Sequence, residues 1–247
     1  IEGGRYIRAE YAARNAVRIA QTSSFANLNL GLAQLGNGNI KSAILSFEAA
    51  TNGDPKIAEA HFQYAECLYE MDDFELAALE YKKAIKLQPK MIEAHCNLGN
   101  SLRSLGLFEG ALKSYSKALE IDPSRAEVYS NQGIAFHENG NRVEGIDSYR
   151  KALKIKPDDP ETHRNLGMAL LQGGDFKEGW RELEWRWRTK SFESIRRDLG
   201  KPRWRGESLK NKTILVTAEQ GLGDSIQFSR YIERLGLLGG RVLLETQ

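Results

Sequence analysis

The feature that most constrains this chain is that it repeats itself. The strings "NLGLAQLGNGNIKSAILSFEAATNGDP" from Asn29, "NLGNSLRSLGLFEGALKSYSKALEIDP" from Asn97 and "NQGIAFHENGNRVEGIDSYRKALKIKP" from Asn131 fall in phase at a period of 34 residues. Counted from Ser24, units begin at Ser24, Ala58, Ile92, Ala126 and Pro160. The eighth position of each is small (Gly31, Ala65, Gly99, Gly133, Gly167), and so is the twentieth (Ala43, Ala77, Ala111, Gly145, Gly179). The twenty-fourth is bulky: Phe47, Tyr81, Tyr115, Tyr149, Leu183. No such unit can cover its apolar face alone, so the chain must stack its units into one continuous core.

Each choice has a mechanical reason. Small residues let two antiparallel helices approach, and the bulky residue fills the space beside them. Gly38, Gly106, Gly140 and Gly174 stand where the first helix of a pair must stop, as left-handed C-terminal caps would. Pro55, Pro89, Pro123 and Pro157 end the second helix, because proline cannot continue it. From Ser24 to about Ser191 the pattern resembles the tetratricopeptide repeat (TPR) family. The resemblance implies a mainly α fold, a right-handed superhelical solenoid of five units at 24–57, 58–91, 92–125, 126–159 and 160–193. Ala9, Ala13 and Ala16 are in phase with a second helix, so residues 1–23 read as a truncated half-repeat. The fifth unit departs from the pattern, with a second helix reading "DFKEGWRELEWRWRT" and no closing proline.

Composition narrows the partners. A net charge of +2 predicts neither nucleic acid nor an anionic membrane. No apolar run approaches the roughly 20 residues that span a bilayer. There is no secretory signal pattern, which makes the cytoplasm the default location. The opening "IEGGRY", without Met, reads as a cut from something longer. Cys67 and Cys96 have no metal-ligand spacing and read as reduced thiols acting as small hydrophobes. No metal site is expected. His61, His95 and His163, at the fourth position, fall on a core-facing stripe of successive first helices.

The opposite stripe of the first helix, at positions two, six, nine and thirteen, carries the candidate site. At the sixth position stand Asn29, Gln63, Asn97, Asn131 and Asn165, and Asn100 joins them at the ninth position of the third unit. Asparagine is a poor helix-interior residue. Its amide has donors and an acceptor, so it can bond both sides of an extended peptide's backbone at about 1 kcal/mol net per bond. Two readings stand: a peptide-binding ladder, or local helix-to-helix contacts. In O-GlcNAc-transferase-type TPR superhelices, which the "NLG" and "NQG" contexts resemble, an asparagine ladder at this position holds polypeptide; Gln63, in "QYA", matches less cleanly. Glu59, Glu93, Glu127 and Glu161 at the second position, with Glu66, Glu70 and Glu138, make the stripe acidic. They serve helix N-termini electrostatically, select a neutral to basic peptide, or both.

The end of the chain differs. Trp180, Trp185, Trp187 and Trp204 fall among arginines and read as an apolar plug rather than a nucleic-acid platform. After a linker at 194–211, residues 212–247 read as strand 212–219, a turn, a helix from about Ser225 and a strand 241–246, the first βαβ of a Rossmann-like domain. Gly221-Leu222-Gly223 is no dinucleotide fingerprint, because Ile226 stands where a third glycine belongs. The strings "GWRELEWRW", "PRWRGESL" and "KTILVTAEQGLGDSIQFSRYI" resemble TPR proteins that run into a GT-B glycosyltransferase-like domain similar to heptosyltransferases. That resemblance implies a nucleotide-sugar donor and a catalytic Asp224 for a full-length protein, with no cofactor held by residues 1–247 themselves. The expected function is a module that binds an extended polypeptide, the substrate-recruiting arm of such a protein; an assembly scaffold without transferase activity is the alternative. Two strands with open edges are expected to dock on the tryptophan-rich helix or to self-associate.

Overall fold

In the computed structural model the described residues are 2–19, 23–193, 200–217, 226–227 and 229–245. The period seen in the sequence becomes a period of helix pairs. First helices are α2 (Ser24–Gly36), α4 (Ala58–Glu70), α6 (Ile92–Ser104), α8 (Ala126–Glu138) and α10 (Pro160–Gln172). Their partners are α3 (Ile40–Gly53), α5 (Phe74–Leu87), α7 (Phe108–Ile121), α9 (Arg142–Ile155) and α11 (Phe176–Leu183). A preceding helix, α1 (Glu2–Ile19), packs on α2 as a second helix would.

The turns inside the pairs share one geometry. Gly38, Gly106, Gly140 and Gly174 have φ of +75°, +72°, +82° and +85°. The next backbone N–H then reaches back over the cap, Asn39 to the Gln34 carbonyl at 2.8 Å and Leu107 to Leu102 at 2.8 Å. Unit 2 does the same with Asp72, at φ +61°, where the others use glycine.

Small and bulky positions meet as the spacing required. A Cβ added to Gly31 would stand 2.5 Å from the Phe47 ring; on Gly99, 2.4 Å from Tyr115; on Gly133, 2.6 Å from Tyr149. The four aromatic rings, of Phe47, Tyr81, Tyr115 and Tyr149, are all buried, and the core clusters form around them. Unit 5 has Leu183 instead of a ring. There the helices close until backbone meets backbone, and a Cβ on Gly167 would lie 2.6 Å from the Leu183 nitrogen.

Successive first helices touch one another directly (α4 with α6, α6 with α8, α8 with α10), while successive second helices approach less closely. First helices therefore line the inner side of the array.

The fifth second helix stops early. Where the sequence predicts helix through the tryptophans, α11 ends at Leu183 and tightens into a 3-10 turn over Glu184–Arg188. That turn stacks the Trp185 indole on the His163 ring, 4.0 Å between centroids and 9° apart. The chain divides into two compact units, Ile1–Arg186 and Trp187–Gln247. Within the second unit lie α12 (Lys190–Glu193), β1 (Thr213–Thr217), α13 (Ile232–Leu237) and β2 (Arg241–Glu245). β1 and β2 pair in parallel, from Thr213 with Arg241 to Thr217 with Glu245. Trp187 meets Phe192 edge-on at 5.6 Å and has the Arg203 guanidinium 3.5 Å above its ring. Trp180, expected in an apolar plug, is 56% exposed. Asp224 and the glycine turn before it lie outside the described residues.

Candidate peptide-binding face

The inner face is built from positions two, five, six, nine, twelve and thirteen of the first helices. Positions seven, eight and eleven bury themselves against the second helix, as Leu98, Gly99 and Leu102 do on α6. What remains points toward the next first helix or to solvent. The sixth-position amides are half-buried at Gln63, Asn97, Asn131 and Asn165 and exposed at Asn29.

Their surroundings are not alike. In the middle of the array a polar chain crosses two units. The Tyr81 hydroxyl and the Asn97 amide both donate to Oε1 of Glu66, the latter at 2.6 Å. Asn100 Nδ2 approaches Asn97 Oδ1 at 3.5 Å, and the Tyr115 hydroxyl donates to Asn100 Oδ1 at 2.7 Å. Tyr81 and Tyr115 are thus both spacers and donors: each ring fills the helix pair, and each hydroxyl emerges behind the ninth-position residue. Burial pushes the Tyr81 phenol upward, and neighbouring Glu66 adds to it; Tyr115 is raised by burial. Both stay protonated donors at ordinary pH.

Where the bulky residue lacks a hydroxyl, the ninth position is apolar. Phe47 goes with Leu32, and Leu183 with Met168. In unit 4, Tyr149 stands behind Ile134, its phenol raised by burial and then by Glu138 nearby. Asn131 opens instead on a cavity of about 140 Å³ between units 4 and 5, lined by polar side chains (Glu127, Ser130, Lys156, Asp159 and Thr162) and by Ala126 and Ala152. Asn165 Oδ1 has a long 3.4 Å contact from Arg164. Gln63 donates to Glu59 on its own helix at 2.8 Å.

The acids of the face divide by partner. Arg125 reaches Glu93 at 2.9 Å and Glu127 at 3.3 Å; Arg164 holds Glu161 and Arg103 holds Glu138, each at 2.9 Å. Among the described residues Glu59, Glu66 and Glu70, all on α4, have no ion pair. Negative charge without a local counter-charge is therefore concentrated on the inner side of unit 2.

The fourth-position histidines serve the scaffold. His61, His95 and His163 place Nε2 at 3.1, 2.9 and 2.7 Å from the carbonyls of Pro55, Pro89 and Pro157, tying each first helix to the turn before it. Nδ1 of His61 meets Glu80 at 2.6 Å and Nδ1 of His163 meets Glu182 at 2.5 Å. Sequence reasoning placed these histidines on the core side but missed their partners. The signal was available: glutamate stands at the twenty-third position in two of the units that have histidine at the fourth. Burial pushes the Cys67 thiol up to about 12 and Cys96 up to about 11, so neither is a thiolate near neutrality.

A stack of helix pairs with a polar, hydrogen-bonded inner face is a helical-repeat interaction scaffold in class. The chain belongs to the tetratricopeptide-repeat family: residues 28–92 match the family described as tetratricopeptide repeat, and residues 99–140 and 144–174 match that described as TPR repeat. Solved structures agree in fold. MamA (41-end) from Desulfovibrio magneticus RS-1 is 20% identical, covers 69% of this chain and 95% of its own, and superposes with a TM-score of 0.63. YrrB, titled a TPR protein with an unusual peptide-binding site, is 15% identical over 74% of this chain and 94% of its own, also at 0.63. TTC0263, a thermophilic TPR protein in Thermus thermophilus, is 21% identical over 70% of this chain and 100% of its own, at 0.53. No curated protein matches the chain.

Proposed function

We propose that the array binds an extended, neutral to basic polypeptide along its inner face. The observation that carries this reading is the recurrence of one carboxamide per unit on that face, at Asn29, Gln63, Asn97, Asn131 and Asn165. Each amide can answer one peptide group, whatever the side chain beside it. YrrB, of like fold, is described as having a peptide-binding site, which favours the same use here. Replacing Asn97, Asn131 and Asn165 together by alanine should weaken binding of a labelled extended lysine-containing peptide about a hundredfold, at about 1 kcal/mol per lost bond. Fluorescence anisotropy measures it, and unchanged affinity in the triple variant would reject the ladder.

The finer reading is that this array recruits substrate for a larger glycosyltransferase-like protein, with the Asp224 carboxylate as acceptor-activating base and a nucleotide-sugar as donor. The parallel β1–β2 pair with helix between its strands favours it over a bare scaffold. Full-length protein incubated with radiolabelled nucleotide-sugars should transfer or hydrolyse one of them; inactivity across the common donors would favour the assembly scaffold instead. Exposed Leu215, Leu243 and Leu244 on the strands suit self-association, which sedimentation would detect. No helix among the described residues is long and apolar enough to cross a membrane, and the cytoplasm is the proposed location.

A further inference from the structure

We infer that Glu66 is the specificity-determining residue of the inner face, a socket for one lysine or arginine side chain of the bound segment. The inference rests on the peptide-binding reading and adds a position and a chemistry to it.

The first support is orientation. Glu66 Oε1 is occupied by the Tyr81 hydroxyl and the Asn97 amide, both neutral donors. Among the described residues no hydrogen bond reaches Oε2. Two donors on one oxygen fix the carboxylate plane and leave the other oxygen as an acceptor that no cation of the described residues neutralises. A carboxylate held this way has already given up its rotamer freedom, so a ligand need not supply that ordering.

The second support is charge. Elsewhere on the face each glutamate named above is held by Arg103, Arg125 or Arg164, while among the described residues α4 alone presents Glu59, Glu66 and Glu70 without an ion pair. A cationic side chain is complementary to unit 2 and to no other unit. The third support is the floor of the socket. Tyr69, one turn beyond Glu66, is half-buried and braced edge-on against Phe74 at 5.2 Å. An aromatic face beside a carboxylate suits the aliphatic stem and charged head of lysine or arginine.

In this arrangement Asn97 has two tasks. One amide hydrogen holds Glu66 while the remaining hydrogen faces the ligand's main chain. Tyr81 and Tyr115 are positioning residues: their hydroxyls orient Glu66 and Asn100 from behind and do not meet the ligand.

The test uses the 247-residue chain and three fluorescein-labelled peptides of equal length, alternating glycine and serine around one central lysine, norleucine or glutamate. Wild-type protein should bind the lysine peptide about tenfold more tightly than the norleucine peptide, and the glutamate peptide more weakly than either. Glu66→Gln keeps an oxygen for Tyr81 and Asn97 but removes the charge. It should erase the lysine preference and leave norleucine binding within about twofold. Tyr115→Phe should weaken the lysine and norleucine peptides alike, about threefold, as loosened amides would. Equal binding of lysine and norleucine peptides to the wild type, or a lysine preference that survives Glu66→Gln, overturns the socket. Failure of all three peptides to bind overturns socket and groove together. A double variant, Asn131→Ala with Asn165→Ala, leaves Asn97 on Glu66 and separates the two. If it leaves every affinity unchanged while Glu66→Gln erases the lysine preference, the amide ladder fails and the socket stands. Matching helical circular dichroism and melting of each variant shows that the fold is intact.

Discussion

Units 3 and 5 are built from the same template and differ at one decisive position. Unit 3 has Tyr115, fully buried, with Gly99 beneath its ring and Asn100 before its hydroxyl. Unit 5 has Leu183, half-buried, and no ring to hold its helices apart. In unit 3 the second helix runs the full fourteen residues; in unit 5 it ends after eight. The twenty-fourth position is therefore a spacer that sets the distance between the paired helices and, where it is tyrosine as in unit 3, presents a donor to the inner face. Loss of the ring costs both at once.

The comparison breaks most plainly if the spacer is removed. Tyr115→Ala should destabilise the array by about 4 kcal/mol, the range for emptying a buried aromatic site. Leu183→Ala, at a half-buried site on a short helix, should cost about 1 kcal/mol. Urea melts monitored by circular dichroism give both values. Similar costs would mean that Tyr115 is no more structural than Leu183. Because neighbouring repeats support one another, the Tyr115 cavity should also loosen α5 and α8, and hydrogen exchange should show it.

A methyl group tests the spacing from the other side. Gly99→Ala drives a Cβ to within 2.4 Å of the Tyr115 ring edge, and Gly167→Ala drives one to within 2.6 Å of the Leu183 nitrogen. A ring edge can tilt, but a backbone nitrogen moves only with its helix. Overpacking costs about 1–3 kcal/mol, while exchanging glycine for alanine inside a helix returns up to about 1. Gly99→Ala should therefore lose about 1 kcal/mol and Gly167→Ala about 2, the latter read as faster exchange of α10 and α11 amides. The reverse order would show that unit 5 is the looser unit despite its closer backbones.

These contrasts separate what the sequence displayed from what it concealed. Gly38, Gly99, Tyr115 and Pro123 were legible because each answers a steric demand of its own neighbourhood and recurs in phase. The Tyr115–Asn100 and His61–Glu80 bonds were not, because they join residues fifteen and nineteen apart across a helix pair. Such contacts show only as correlated choices at two positions, and five units offer few examples. The early end of α11 was hidden for another reason. "FKEGWRELEWRW" is helical by local preference, and the chain leaves that path where Trp185 finds the face of His163. On the inner face the sequence marked which residues recur, and packing decided their use: Asn97 is tied to Glu66, whereas Asn131 opens on a cavity.

The smallest effect concerns unit 2, which shares unit 3's tyrosine but not its glycine cap. Asp72 adopts φ +61° where units 1, 3, 4 and 5 place glycine at +72° to +85°. A left-handed conformation costs an ordinary side chain about 1–2 kcal/mol, and aspartate somewhat less. Glycine removes that strain but enlarges the ensemble of unfolded conformations, which offsets part of the gain. Asp72→Gly should therefore stabilise the array by about 0.5 kcal/mol, seen as a small rise in the urea midpoint with an unchanged slope. The side chain is exposed, and among the described residues no hydrogen bond links it to another side chain, so little else is lost with it. A lower midpoint would mean that Asp72 contributes charge or capping worth more than its strain, and that the shared turn geometry does not by itself rank the caps.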